Sequence, residues 1–303
     1  MSLEKLKKLV ETLDLSEIDR LQRKRRRRVG RKGNKMSSYV RAWLLRRILG
    51  IPSESQLARK VKSSEMRILC RFRKAPCKSS YCRARKRFGL FGIDFLLCFL
   101  VKKAKELGLV TGRIVAIDST DFSAFCNPDK ALLSDKDARW GYSSTKGFVF
   151  GYKMHYFVDA ESELPLAAIV LPANVNDAVG FFPAFEKLKR HFTYEIWKLL
   201  ADCAYDATEI YQALCQIIAV IAKNGRGHYE SETPKDPDFR KRGAIERVNS
   251  RGKEGLGLDN LKMRGLWAAT FHAKEVLCSM MYAAVGSFLA GFSDWRSIVN
   301  LRE

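Results

Sequence analysis

Histidine is scarce in this chain, with four in 303 residues and none before His155, and no two of its eight cysteines form a Cys-x-x-Cys pair. Cys70, Cys77 and Cys82 are the one local cluster. Lacking histidine and a paired spacing, they read as free thiols rather than a zinc site. A chain of this size needs no disulfide framework either. Met1 to Lys8 is already charged and has no apolar core of a secretory signal, so the protein is expected to stay inside the cell. Val276 to Ser293 is uncharged but only at the minimum length for a membrane span, and Ser279, Tyr282, Gly286, Ser287 and Gly291 dilute it. A buried C-terminal helix is expected there, with no membrane partner.

Acidic residues are missing from the front of the chain. Residues 1 to 110 carry 31 Lys/Arg against 9 Asp/Glu, whereas the remaining 193 residues carry 24 of each, so the first third holds the whole formal charge of +22. A basic module joined to a neutral one reads as a polyanion-binding region attached to a domain with another task. Ten of the sixteen residues from Arg20 to Lys35 are basic, including the unbroken run Arg23 to Arg28. Gly30 and Gly33 argue against one rigid helix, and the stretch reads as a flexible arm whose Arg25, Arg26, Arg27 and Arg28 contact phosphates without reading sequence.

Leu3, Leu6, Leu9, Val10 and Leu13 recur at helical spacing, predicting a short amphipathic helix that could serve as a partner surface. Tyr39, Trp43, Leu44, Leu45 and Ile48 predict another, closed by Gly50 and Pro52, with Ser53 capping the next. Several short helices with a basic outer face up to Arg87 suit a helix-turn-helix-like DNA reader, a pattern other helical bundles share. Phe88 to Leu107 reads as a linking helix ended by Gly108.

After Thr111 the period changes. Arg113 to Ile117, Tyr152 to Val158, Leu164 to Leu171, Ile196 to Leu200 and Ile217 to Ala222 read as strands, with a hairpin turn at Asp159 to Glu163. Helices are expected at Asp177 to His191, Ala207 to Gln216 and Lys241 to Lys253. This order predicts an α/β domain with a mixed sheet, preceded by an all-helical basic region. The expected divisions are 1–36 (helix and basic arm), 37–110 (helical DNA-binding region) and 111–303 (catalytic domain).

Two of these strands end alike. Val115, Ala116 and Ile117 deliver Asp118; Leu199, Leu200 and Ala201 deliver Asp202. If the strands are neighbours, both carboxylates emerge at one edge and can share a cation, since Mg²⁺ takes a few carboxylates together with water and phosphate. Glu246, in Arg242-Gly-Ala-Ile-Glu246 with Phe239 before it and Lys253 seven residues after it, supplies a third acid.

These residues resemble the insertion-sequence DDE transposases of bacteria and archaea, whose third acid sits in a Tyr-x2-Arg-x3-Glu-x6-Lys signature; here Phe239 stands for the Tyr. The resemblance extends through Ile117-Asp-Ser-Thr, Asp137-Ala-Arg-Trp140-Gly141, Gly151-Tyr-Lys-Met-His155, Leu164-Pro-Leu, Asn176-Asp177 and Asp202-Cys-Ala-Tyr205-Asp206. It implies a ribonuclease H-like core, a five-stranded mixed sheet flanked by helices, acting at the prokaryotic nucleoid. It also implies a DNA transposase in which Asp118, Asp202 and Glu246 hold two Mg²⁺ or Mn²⁺ ions, ideally ~3.5 to 4 Å apart, for hydrolysis at a transposon end and strand transfer into target DNA. By the same resemblance Arg242 and Lys253 would grip phosphates beside the scissile bond, and a homodimer would hold two ends of double-stranded DNA. The interval from Asp202 to Glu246 leaves no room for the large β-rich insertion of some relatives.

Each residue has a plainer reading. Asp118 and Asp202 could cap turns, with Asp121 and Asp206 as rivals for their places. His155 is expected to pack, Trp140 either to fold onto the core or to stack on a base, and Asp177 to begin a helix after Asn176. A same-fold nuclease and a non-catalytic DNA-binding derivative are the alternative functions.

Overall fold

The computed structural model describes residues 3–24, 33–129, 133–143, 147–192, 195–225, 233–298 and 301, so Arg25, Arg26, Arg27 and Arg28 lie outside the described residues. The chain forms two compact units, one of residues 1–100, 254–257 and 274–303, the other of 101–253 and 258–273.

In the first unit, α1 (Leu3–Thr12) and α2 (Ser16–Lys24) precede α3 (Met36–Ile48), α4 (Glu54–Lys60) and α5 (Ser64–Leu69). Residues 20–24 thus belong to α2, not to the start of an arm. Leu6, Leu9 and Val10 of α1 and Leu13 just after it are buried, and a Cβ on Gly286 would press into Leu9. The apolar stripe of α1 is therefore internal packing of this unit, which removes the expected partner surface. Ser53 caps α4 by accepting from the Gln56 N–H (3.2 Å), as its position before the helix suggests. α6 (Lys78–Glu106) bends at Gly89, where φ is +67°, so the anticipated linking helix is the second limb of a longer broken one.

The basic outer face expected of these helices fails at α3, all of whose residues are buried, Arg41, Arg46 and Arg47 among them. The cause is an acid far along the chain. Glu275 Oε1 accepts from Arg46 Nη2 (2.6 Å) and Arg47 Nε (3.2 Å), and Arg47 also donates to the carbonyls of Leu256 and Gly257. Arg85 likewise pairs with Glu54. Glu275 lies on α10 (Leu266–Leu289), immediately before the uncharged stretch that begins at Val276, and residues Val276 to Val285 are buried. No described helix is long and apolar enough to cross a membrane.

The second unit is built on β1 (Ile114–Ser123), β2 (Arg139–Ser143), β3 (Gly147–Asp159), β4 (Leu164–Pro172), α7 (Asp177–Phe192), β5 (Lys198–Ala201), α8 (Thr208–Ala213), β6 (Ile218–Ile221) and α9 (Gly243–Ser250). Its sheet runs β2-β3-β1-β5-β6, with β4 pairing the remainder of the β3 edge that β2 leaves open. The β1–β3, β2–β3 and β3–β4 pairs are antiparallel, whereas β1–β5 and β5–β6 are parallel. That is the mixed, helix-flanked, ribonuclease H-like order expected, with β2 as a sixth strand the sequence reading omitted. The predicted helix over Lys241 to Lys253 resolves into a 3-10 turn (Pro237–Arg242), α9 and a π turn (Arg251–Gly255).

α7 covers one sheet face. Phe181 and Phe185 sit 6.1 Å from the Phe157 ring, and Gly180 rides on His155 so closely that a Cβ would overlap the imidazole. His155 is fully buried, as its packing role required, and burial holds its ring down at about 4, leaving it neutral at pH 7.

Candidate active site

The parallel pairing of β1 and β5 sets the site. Ala116 is level with Leu200, so Asp118 and Asp202 each follow the last matched pair by two residues, on neighbouring strands that run about 4.8 Å apart. Asp118 does not end its strand, as the apolar run suggested. β1 continues to Ser123 against β3, and it is β5 that stops, at Ala201, opening the sheet edge beside Asp118.

Both aspartates also do the local work of the plainer reading, each through Oδ1. Asp118 accepts from the Ser119 N–H (2.7 Å), and Asp202 caps the 3-10 turn Cys203–Tyr205 by accepting from the Ala204 N–H (3.0 Å). Burial, reinforced by the charge of Asp202, pushes the Asp118 carboxyl up to about 7, against the Ser119 N–H and the Arg242 guanidinium. Burial raises Asp202 as well, again with Arg242 opposing and Asp177 adding to the rise. The rivals are placed elsewhere. Asp121 faces the other side of β1, and Asp206, although burial pushes it up, is held low by bonds from Asn224, Tyr211 and Lys223.

Glu246 stands apart from this pair. It is exposed and ion-paired to Arg242 (2.7 Å), whose guanidinium lies 6.0 Å from the Phe239 ring, so three members of the signature touch in succession. α9 is anchored by buried Ala244, Ile245 and Val248 and by the Tyr156 hydroxyl, which donates to the Ile245 carbonyl (3.1 Å). Tyr156 is also the cross-strand partner of Asp118. Burial chiefly, with Asp118 and Glu246 adding, holds its phenol well above its ordinary range, so the hydroxyl stands in the field of both carboxylates. Lys253 lies in the π turn, half-buried. The structure thus brings Asp118 and Asp202 together with Arg242 in their field, and does not bring Glu246 onto them. Among the described residues no three Asp, Glu, His or Cys side chains converge closely enough to hold a metal ion.

The aspartate pair itself fits a shared cation. Two half-buried carboxylates side by side, one of them pushed up to about 7 by burial and then by its neighbour's charge, are the electrostatic situation that a divalent ion relieves, and an all-oxygen donor set suits Mg²⁺ or Mn²⁺. Sequence reasoning assigned no role here to Tyr156 and gave Asp177 only the start of a helix. Asp177 does begin α7, and it also ion-pairs with Lys153 (3.1 Å) within the field of both catalytic candidates. Its place after Asn176 was the one available signal.

A family model described as transposase DDE domain matches residues 111–282, and one described as transposase domain (DUF772) matches residues 2–87. Among solved structures, the piggyBac transposase synaptic complex with hairpin DNA is 11% identical, with 97% of this chain and 76% of that one covered at a TM-score of 0.46. The Mos1 transposase paired-end complex with left transposon end is 11% identical, covering 79% of this chain and 85% of that one at 0.25. The Mos1 strand transfer complex is 13% identical, covering 86% and 82% at 0.24. No curated protein matches the sequence. The first family match spans more than half of the chain and contains the whole sheet, both aspartates and Glu246; on it, the chain belongs to the family of transposase DDE domains and is a DNA transposase.

Proposed function

We propose that Asp118, Asp202 and Glu246 are the acids of this transposase, of the branch with the Tyr-Arg-Glu-Lys signature, and that they hold two Mg²⁺ or Mn²⁺ ions. The observation that carries the reading is the register of β1 and β5, which puts two carboxylates side by side where β5 ends. Bound there, the cations would supply Lewis-acid activation of water for hydrolysis and of a 3′-hydroxyl for strand transfer. The remaining work belongs to the chain. Arg242, now paired with Glu246, exchanges that carboxylate for a DNA phosphate, to which it offers a bidentate fork, and the exposed Glu246 is released toward the aspartates. Lys253 contacts phosphate as a point charge. Tyr156 fixes α9 beside Asp118 and so limits how far Glu246 travels. Phe239 keeps the ring contact with Arg242 but offers no hydroxyl. Arg25, Arg26, Arg27 and Arg28 add sequence-independent phosphate contacts, and a homodimer holds two DNA ends.

Calorimetric titration with Mn²⁺ tests the ligand set. With a DNA end bound, which frees Glu246 from Arg242, wild type is expected to take up two ions per chain, with affinity rising between pH 6 and pH 8 as the cation displaces the proton that Asp118 holds up to about 7. Asp202→Asn should lose uptake. Unchanged stoichiometry in that variant overturns the assignment.

A further inference from the structure

The ribbon of β2 and the start of β3 inverts the usual placement of side chains. Its inner face is small and packed: Val149 is buried, and a Cβ on Gly141 would overlap the Ala173 carbonyl. Its outer face carries large rings in solvent, with Phe148 75%, Tyr142 67% and Trp140 52% exposed. Tyr142 and Phe148 are cross-strand partners with rings 5.5 Å apart, edge to face. Scattered exposed apolar residues need no explanation, but three aromatics on one face of one ribbon do.

The register says where this face looks. Tyr142 pairs with Phe148, and Phe148 has the same parity along β3 as Tyr156, the partner of Asp118; no irregularity interrupts β3 between them. The rings therefore share the sheet face of Asp118. The Tyr142 and Phe148 pair lies toward the end at which β1 and β5 point, about 26 Å beyond the Asp118 row at strand spacing, with Trp140 two residues nearer. At about 3.4 Å per nucleotide this is some eight nucleotides of a bound strand. Just past the end of β1, where the Ala124 N–H donates to the Phe150 carbonyl, Phe125 is flanked by Lys262 and Arg264, each 5.7 Å from its ring and both exposed. Rings interleaved with cations suit a strand whose bases stack on the rings while its phosphates meet the charges.

We propose that this ribbon is a base-stacking finger: Trp140, Tyr142 and Phe148 pack against unstacked nucleobases of the DNA held at the Asp118 and Asp202 pair, with Lys262 and Arg264 on the adjoining phosphates. The position relative to the scissile bond rests on the reading of that pair as the catalytic centre; the stacking does not.

Fluorescence anisotropy of the full chain in EDTA separates the two, because no catalysis is involved. The probes are a labelled single strand of mixed sequence and its blunt duplex. Tyr142→Ser with Phe148→Ser is expected to weaken single-strand binding roughly tenfold or more while leaving duplex binding, which rests on phosphate contacts, nearly unchanged. The ring-preserving pair Tyr142→Phe with Phe148→Tyr should bind as wild type. Equal loss on both probes, or no loss on either, overturns the proposal. So does unchanged DNA binding with lost self-association in light scattering, which would assign the face to a second copy of the chain.

Discussion

Asp118→Asn is expected to abolish DNA cleavage and joining while making the protein more stable at pH 8. The loss follows from removing one of two adjacent carboxylates, and a fall of about 10³-fold or more, some 4 kcal/mol of barrier, is the size expected when a principal electrostatic element is lost. The gain follows from the sign of the proton linkage. The folded carboxyl is raised from 3.8 to about 7, chiefly by burial and next by Asp202, so the folded chain keeps a proton that the unfolded chain gives up. Stability is undiminished below about pH 4 and falls as the pH rises toward 7, because the native state then binds more protons than the unfolded one. Allowing for the solvent that reaches this half-buried group, the penalty at pH 8 is about 1 to 3 kcal/mol. Urea denaturation should show Asn stabilising by that amount at pH 8 and by almost nothing at pH 4. An effect of Asn that is the same at both pH values would mean that the Asp118 carboxyl is not raised and that no poised cation site exists.

Glu275→Ala is expected to cost roughly 3 to 5 kcal/mol, because it leaves two buried guanidinium groups without their shared carboxylate. Burial already holds Arg47 down at about 10, with Glu275 the main force restoring it. Replacing Arg46, Arg47 and Glu275 together with apolar residues of similar volume should recover most of the loss, since desolvation of the ions offsets much of their attraction. A shift below about 1 kcal/mol for the single variant contradicts a buried network. The network also bears on DNA contact. Arg46, Arg47 and Arg85 are buried and so withheld from any DNA phosphate, whereas Arg59, Lys60, Lys62, Lys86 and Arg87 of the first unit are exposed.

These arginines show where a sequence stops being readable. Charge between apolar residues reads as a surface, and the acid that draws Arg46 inward lies 229 positions away. β2 escaped for a related reason: its inward residue is Gly141 and its outward ones are aromatic, the reverse of the alternation that identifies a half-buried strand. The second half of β1, Ser119 to Ser123, is polar enough to read as a loop, yet it pairs residue by residue with β3. The aspartates were legible because each follows an apolar run short enough to be a buried strand, and adjacency then required only that the strands be neighbours. Glu246 was legible as a spacing but not as a geometry. Its position in the signature says nothing of its pairing with Arg242, which depends on one helical turn and an exposed rotamer.

The most direct test of the account is cleavage and strand transfer on a labelled DNA carrying the sequence that flanks the reading frame, in Mg²⁺ or EDTA, with wild type beside Glu246→Gln. Wild type is expected to cut and join in Mg²⁺ and not in EDTA, and the variant to do neither. Cutting and joining by Glu246→Gln at wild-type rates would contradict the three-acid centre, and metal-dependent cutting without joining would leave a nuclease in its place.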